Sequence, residues 1–354
     1  MDMRTDAAPQ APALRHTMRF EGSGGEYFKI WIVNLALTVA TLGIFSAWAK
    51  VRSKRYFYGN TYIGEHNFDY HGLPLRILLG RAIAVGILLL YGLARAFVPW
   101  LTLVFALAFF FGAPWLVNAA LRFNARNSGY RNIRFNFVAT YGGAFSAYVG
   151  WAVLAAITLF TTYPLARRAR DQFNINNHMF GGKYFHADIP GGAMYRIYIM
   201  GLVMFLGFVI VVGSIIATVF HGAIGKGTTP GAFSIWYLII LGVFAFVPLF
   251  LMPFIGTQVF NLAVGRTVLA ERYQLESTLS PLRMTWLAFS NLALTLVTLG
   301  LFYPWARTRV ARYRAENISI TGPADMDGFQ SEFGAGPGAI GEEVASLFDI
   351  DIGL

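Results

Sequence analysis

The sequence predicts an all-α polytopic membrane protein of about seven transmembrane helices built from internal repeats, with short β elements in the extramembrane loops. Three observations predict it. Hydrophobic residues make up 56% of the 354 and charged residues only 13%, about half the charge that covers a soluble surface. Seven apolar stretches each approach the roughly 20 residues a helix needs to cross the hydrocarbon core. One of those stretches recurs along the chain, and recurrence at this length marks a repeat architecture.

The seven stretches are roughly 27–47, 76–95, 98–120, 143–163, 197–220, 234–256 and 284–304. No apolar core or small-residue cleavage site precedes the first, so it reads as a retained helix and not a signal peptide. The second carries Arg81 and Arg95, which must snorkel to opposite interfaces. Aromatics such as Trp31, Trp48, Trp100, Trp115, Trp151, Trp286 and Trp305 crowd the ends of the stretches, as headgroup-level anchors do.

The segment Asn34–Arg52 reappears almost residue for residue as Asn291–Arg309, and a degenerate copy lies between them around Thr158 and Tyr163-Pro-Leu-Ala-Arg-Arg. On this basis the chain divides into an N-terminal tail (1–26), repeat one with three spans (27–130), repeat two with three spans (131–270), a partial third repeat with one span (271–321) and an acidic tail (322–354). The tail, rich in Gly, Pro and acids, is expected to be disordered. Alternating segments at Met18–Gly22, Tyr56–Tyr62, Asn67–His71 and Ile133–Phe137 read as short strands.

Seven crossings would put the two ends of the chain on opposite sides. They also distribute the Lys and Arg residues as 12 on the N-terminal side and 14 on the other, so the positive-inside rule barely discriminates. The clusters Lys50, Arg52, Lys54, Arg55 and Arg307, Arg309, Arg312, Arg314 tip the expectation toward a cytoplasmic C-terminus. The alternative is that the repeated helices dip or lie along the interface, with Gly43 and Gly300 supplying the bend.

Two groups of residues carry candidate function. Trp48, Lys50, Arg52 and Arg55, with their equivalents Trp305, Arg307, Arg309 and Arg312, form an aromatic–cationic element suited to lipid headgroups, anionic ones above all. Asn34, Thr38 and Thr41, with Asn291, Thr295 and Thr298 and the single remnant Thr158, share one helix face. That stripe could form an intramembrane polar seam lining a small-molecule path, or bond neighbouring helices.

Other chemistries are poorly represented. The chain has no cysteine, which removes disulfides, thiolate metal sites and cysteine nucleophiles. The six histidines are not spaced to force a metal site, and no phosphate loop, dinucleotide fingerprint or HExxH is present. No catalytic residue, cofactor or metal is expected, which argues against an enzyme. Nucleic-acid binding is not expected, because the basic residues sit beside apolar runs without a recognition motif. The expected partners are membrane lipids; protein partners are not readable.

The motifs Gly24-Gly25-Glu26-Tyr27-Phe28, Thr41–Arg52, Arg55–Thr61, Phe68-Asp69-Tyr70-His71-Gly72, Gly80-Arg81, Leu299–Arg307, Gly341-Glu342-Glu343 and Phe348-Asp349-Ile350-Asp351 resemble the YjgN family of bacterial inner-membrane proteins. Copy two departs from the pattern, with Leu165 where the others have Trp. The resemblance implies a multi-pass inner-membrane location and no reaction. Two functions follow as expectations: transport or handling of a lipid or small molecule along the repeated helices, and a non-catalytic scaffold presenting its loops to anionic lipids or partner proteins.

Overall fold

The computed structural model describes residues 14–224 and 230–322, with side chains described outside 219–246. The expected N-terminal tail up to residue 13, Lys226 and the acidic tail beyond Gly322 lie outside the described residues. Ten short strands form a closed antiparallel barrel: β1 (Leu14–Phe20), β2 (Thr61–Ile63), β3 (His66–Tyr70), β4 (Ser128–Tyr130), β5 (Ile133–Phe137), β6 (His178–Phe180), β7 (Lys183–Ala187), β8 (Thr267–Leu269), β9 (Tyr273–Ser277) and β10 (Ile318–Gly322). Each strand pairs with its neighbours in sequence. Closure comes from β10 on β1, where Leu14 stands opposite Gly322 and Thr17 opposite Ser319. Full closure removes the free edges that strands this short could not protect.

The two rims of the barrel differ. At one rim the chain reverses in tight turns after β2, β4, β6 and β8. Backbone φ is positive at Gly64, at Arg131 and Asn132, at Gly181 and Gly182, and at Ala270 and Glu271, the left-handed geometry that short hairpins demand. At the other rim every connection is a pair of antiparallel helices. In chain order these are α1 (Gly24–Ala40) with α2 (Ser46–Gly59), and α3 (Pro74–Phe97) with α4 (Leu101–Asn127). The third pair joins α5 (Tyr141–Ala144), a π-helical turn (Phe145–Gly150) and α6 (Trp151–Ile157) to α7 (Tyr163–Asn176). Then come α8 (Gly191–Ile224) with α9 (Pro230–Gly265), and α10 (Pro281–Val297) with α11 (Tyr303–Glu316). Five helical pairs therefore hang from one rim.

Inside the barrel, every strand contributes to one apolar cluster: Met18, Ile63, Phe68, Tyr130, Phe135, Phe180, Phe185, Leu269, Tyr273 and Ile320. Eight strands already leave room only for side chains, and here aromatic rings take up the extra width of ten. The Phe135 ring lies tilted 4.8 Å from Phe180 and the Phe68 ring 5.0 Å from Tyr130, while the Tyr130 hydroxyl donates to the Ile63 carbonyl at 2.8 Å.

The all-α expectation is overturned by this barrel. The sequence-read strand segments were real but belong to one closed sheet; Tyr56–Gly59, read as extended, is the end of α2. The count of about seven spans is also overturned. Among the described residues four helices are long and apolar enough to cross: Pro74–Phe97, Leu101–Asn127, Gly191–Thr218 and Val247–Gly265. The stretches 27–47, 143–163 and 284–304 instead contain a helix, a reversal and the start of a returning helix. The reversals are built alike. Leu42 and Gly43, Leu159 and Phe160, and Leu299 and Gly300 adopt positive φ. The amides of Gly43, Phe160 and Gly300 donate back to Thr38, Ala155 and Thr295, the long bond of a Schellman stop. Because every helical pair returns to the barrel and β1 pairs with β10, both ends of the described chain lie on one side, not on opposite sides.

Candidate functional site

The helical pairs form a ring whose order follows the strands, and two contacts fix how far the short pairs reach. At the first reversal, Arg81 of α3 donates to the Ser46 hydroxyl that opens α2. At the second, Tyr163 opens α7 and meets Tyr198 of α8 edge-on at 5.6 Å. These are equivalent positions of the repeat. Each lies seven residues into its long neighbour, so different chemistry preserves one level.

The residues singled out from the sequence are placed as follows. Arg52 Nη1 donates to Asn34 Oδ1 at 3.1 Å, and Arg309 Nη1 to Asn291 Oδ1 at 2.7 Å. The structure thus joins one member of each candidate group into a clamp across a helical hairpin. Copy two has Trp151 and Ala169 at these positions; both partners are replaced together. There Tyr148 donates to Asn174 Oδ1 at 2.7 Å across the corresponding helices.

Arg55 and Arg312 serve a second device. Arg55 reaches the Tyr70 carbonyl at 3.4 Å and Arg312 the Gly22 carbonyl at 2.9 Å. Sequence reasoning missed its other members: Arg122 to Phe137 at 3.4 Å, Gln172 to Ala187 at 3.2 Å and Asn261 to Leu279 at 2.7 Å. In all five pairs the returning helix latches the carbonyl that leads from the next strand into the next helix. Variation among Arg, Gln and Asn hid the pattern, since any of them can donate.

Trp48 packs on the buried cluster of Ala47, Val51, Tyr70, Ile77 and Phe123. Trp305 lies 5.1 Å from Phe28 and against Gly24, joining the first and last helical pairs. Lys50 and Arg307 occupy equivalent positions on α2 and α11. Arg307 is exposed, donates to the Tyr303 hydroxyl at 3.0 Å and covers the Phe57 ring at 5.0 Å.

The Thr hydroxyls of the polar stripe bond their own helices. Thr38 donates to Asn34 O and Thr295 to Asn291 O, both at 2.6 Å. Thr41 and Thr298 donate to Leu37 and Leu294, and accept from the amides of Phe45 and Phe302 beyond the reversal. Thr158 donates to Leu154 O at 2.8 Å.

Among the titratable groups that burial perturbs outside the spanning helices are Asp171 and His178. Burial pushes the Asp171 carboxyl up, and Arg167, bonded to it at 2.9 Å, offsets this only in part. Burial also holds His178 below the usual imidazole range; its Nδ1 lies 2.6 Å from the Asn174 carbonyl. Arg55, Phe68, Asp69, Tyr70 and His71 bound an open cleft of about 320 Å³. Among the described residues no cluster of three or more His, Cys, Asp or Glu could hold a metal.

The geometry defines a class: a polytopic membrane protein in which long and short helical pairs alternate beneath one closed β-barrel. Residues 15–347 match the model of a family described as a bacterial protein of unknown function, DUF898, and the chain belongs to that family. Its relatives include the inner membrane protein YjgN of Salmonella typhimurium, 24% identical over 88% of this chain and 89% of the relative. The protein of the same name from Escherichia coli O157:H7 is 28% identical over 42% of this chain and 37% of its own. That of Escherichia coli K12 is 44% identical over 16% of this chain and 14% of its own. No solved structure matches the chain. The chain is a multi-pass inner-membrane protein.

Proposed function

We propose that the protein is a non-catalytic platform that seats its barrel on one face of the inner membrane and binds anionic lipid there. The observation that carries this reading is the distribution of charge. Apart from Arg95, no described Lys or Arg lies beyond the level of the short-pair reversals; the others occupy the barrel or the helical segments between it and that level. By the positive-inside rule this face is cytoplasmic, which supports the expectation of a cytoplasmic C-terminus. The basic belt then meets the leaflet that carries anionic headgroups. The platform is preferred to a transport path because the barrel interior is filled and the Thr hydroxyls of the stripe are engaged within their own hairpins.

Native mass spectrometry of the full chain released from nanodiscs of equal phosphatidylglycerol and phosphatidylcholine tests the proposal. The wild type should retain phosphatidylglycerol preferentially. Lys29, exposed in the second turn of α1, joins Lys50 and Arg307 in the variant: Lys29→Gln, Lys50→Gln and Arg307→Gln together should weaken that preference by about fivefold per charge. Equal retention of the two lipids, or an unchanged preference in the triple variant, would overturn it.

A further inference from the structure

The three short helical pairs end in charge-free reversals: Thr41-Leu-Gly-Ile-Phe45, Thr158-Leu-Phe-Thr-Thr162 and Thr298-Leu-Gly-Leu-Phe302. At the apex of each, Leu42, Leu159 and Leu299 are 95%, 83% and 93% exposed. Most of their amides nonetheless find partners within the hairpin. The apex amides donate back into the preceding helix, and Thr41 and Thr298 accept the amides of Phe45 and Phe302. Water would satisfy these amides without such partners, whereas hydrocarbon would not. Exposed leucines on turns whose amides bond internally fit acyl chains.

Depth follows from the contacts with the spanning helices. Ser46 sits level with Arg81, and beyond Arg81 α3 continues for the 16 residues Ala82–Phe97, about 24 Å of helix. With the α3–α4 turn at the far boundary of a hydrocarbon core of about 30 Å, the Ser46 end of the first reversal lies about 6 Å inside the near boundary. That is the depth of interfacial amphipathic segments, whose binding depends on curvature. The Tyr163–Tyr198 contact places the second apex at the same level of α8. The third pair belongs to the same ring, with Trp305 of α11 beside Phe28 of α1.

We propose that the three apices insert together into the barrel-side leaflet as a shallow wedge, so that the protein favours membrane whose barrel-side surface is convex. Six short-pair helices crowd this side, and only the four spanning helices continue into the other leaflet. The proposal goes beyond the anionic-lipid reading, because it rests on apolar insertion and not on headgroup charge.

The test uses the full chain in giant vesicles of phosphatidylcholine alone, so that loss of headgroup preference leaves it untouched. Because the chain has no cysteine, Glu271→Cys on the turn rim takes an impermeant dye and reports only molecules with the barrel outside. These should be enriched severalfold in a nanotube pulled outward from the vesicle; equal density or depletion would overturn the proposal. Leu42→Ser, Leu159→Ser and Leu299→Ser together should abolish the enrichment, and its persistence would overturn the proposal. If that variant fails to fold, nitroxides at Leu42→Cys, Leu159→Cys and Leu299→Cys, singly, read depth directly. All three should report shallow hydrocarbon of the barrel-side leaflet, and a label in water or past the midplane would overturn the proposal.

Discussion

Asn291→Leu isolates the clamp that holds a short helical pair closed. Asn291 is 7% exposed; its Oδ1 accepts from Arg309 Nη1 at 2.7 Å and its Nδ2 donates to the Ala306 carbonyl at 3.3 Å. The substitution deprives a half-buried guanidinium of its near partner, leaving it Ser290 Oγ at 3.5 Å and the Phe302 ring at 6.0 Å. A hydrogen bond to a charged group left unmade costs about 2 kcal/mol, which lowers Tm by about 3 °C in a chain of 354 residues. Removing both partners is far cheaper than removing one. Asn291→Leu with Arg309→Leu should therefore recover most of the loss, as copy two does naturally with Trp151 and Ala169. Thermal unfolding of the four proteins in nanodiscs gives the coupling directly as a double-mutant cycle. A single variant as stable as wild type, or a double variant no better than the sum of its parts, would refute the clamp.

Two further outcomes follow from local geometry. A Cβ at Gly24 would lie 2.2 Å from Trp305 Cδ1, so Gly24→Ala should destabilise by about 1–3 kcal/mol of overpacking, and Trp305→Ala should restore part of the loss in the same thermal assay. His178 has a folded pKa below its unfolded value, so the unfolded state takes up the proton first and stability falls as pH drops below about 6.5, by at most about 1.4 kcal/mol per pH unit. His178→Gln should flatten the dependence of Tm on pH between 7 and 5.

The membrane class, the repeat and the apolar segments around α3, α4, α8 and α9 were legible because length and hydropathy report burial in lipid whatever the fold. The short pairs were not. An apolar window of 20 residues counts α1, its Thr-Leu-Gly reversal and Ser46-Ala47 as one continuous span, and only the backbone angles of Leu42 and Gly43 separate turning back from going on. That one ambiguity propagated. Each reversal taken as a crossing flips every later loop, which is why the positive charges divided 12 to 14 and lost their meaning. The barrel was hidden differently. Its strands have three to seven residues and come from loops far apart in sequence, and two of its turns use Arg131-Asn132 and Ala270-Glu271 where glycine would have signalled a hairpin. Among the candidate residues, Arg52 and Asn34 were each visible, but their pairing required knowing that the helix doubles back.

The most direct test of the architecture is the sidedness of the β-hairpin turns. Glu65→Cys, Lys183→Cys and Glu271→Cys, each exposed and each on a different β-hairpin, should all react with an impermeant thiol reagent from the same side of sealed, oriented membrane vesicles. Seven crossings would put residue 65 and residue 183 on opposite sides, so labelling of Glu65→Cys from one side and Lys183→Cys only from the other would contradict a single barrel bearing every helical pair.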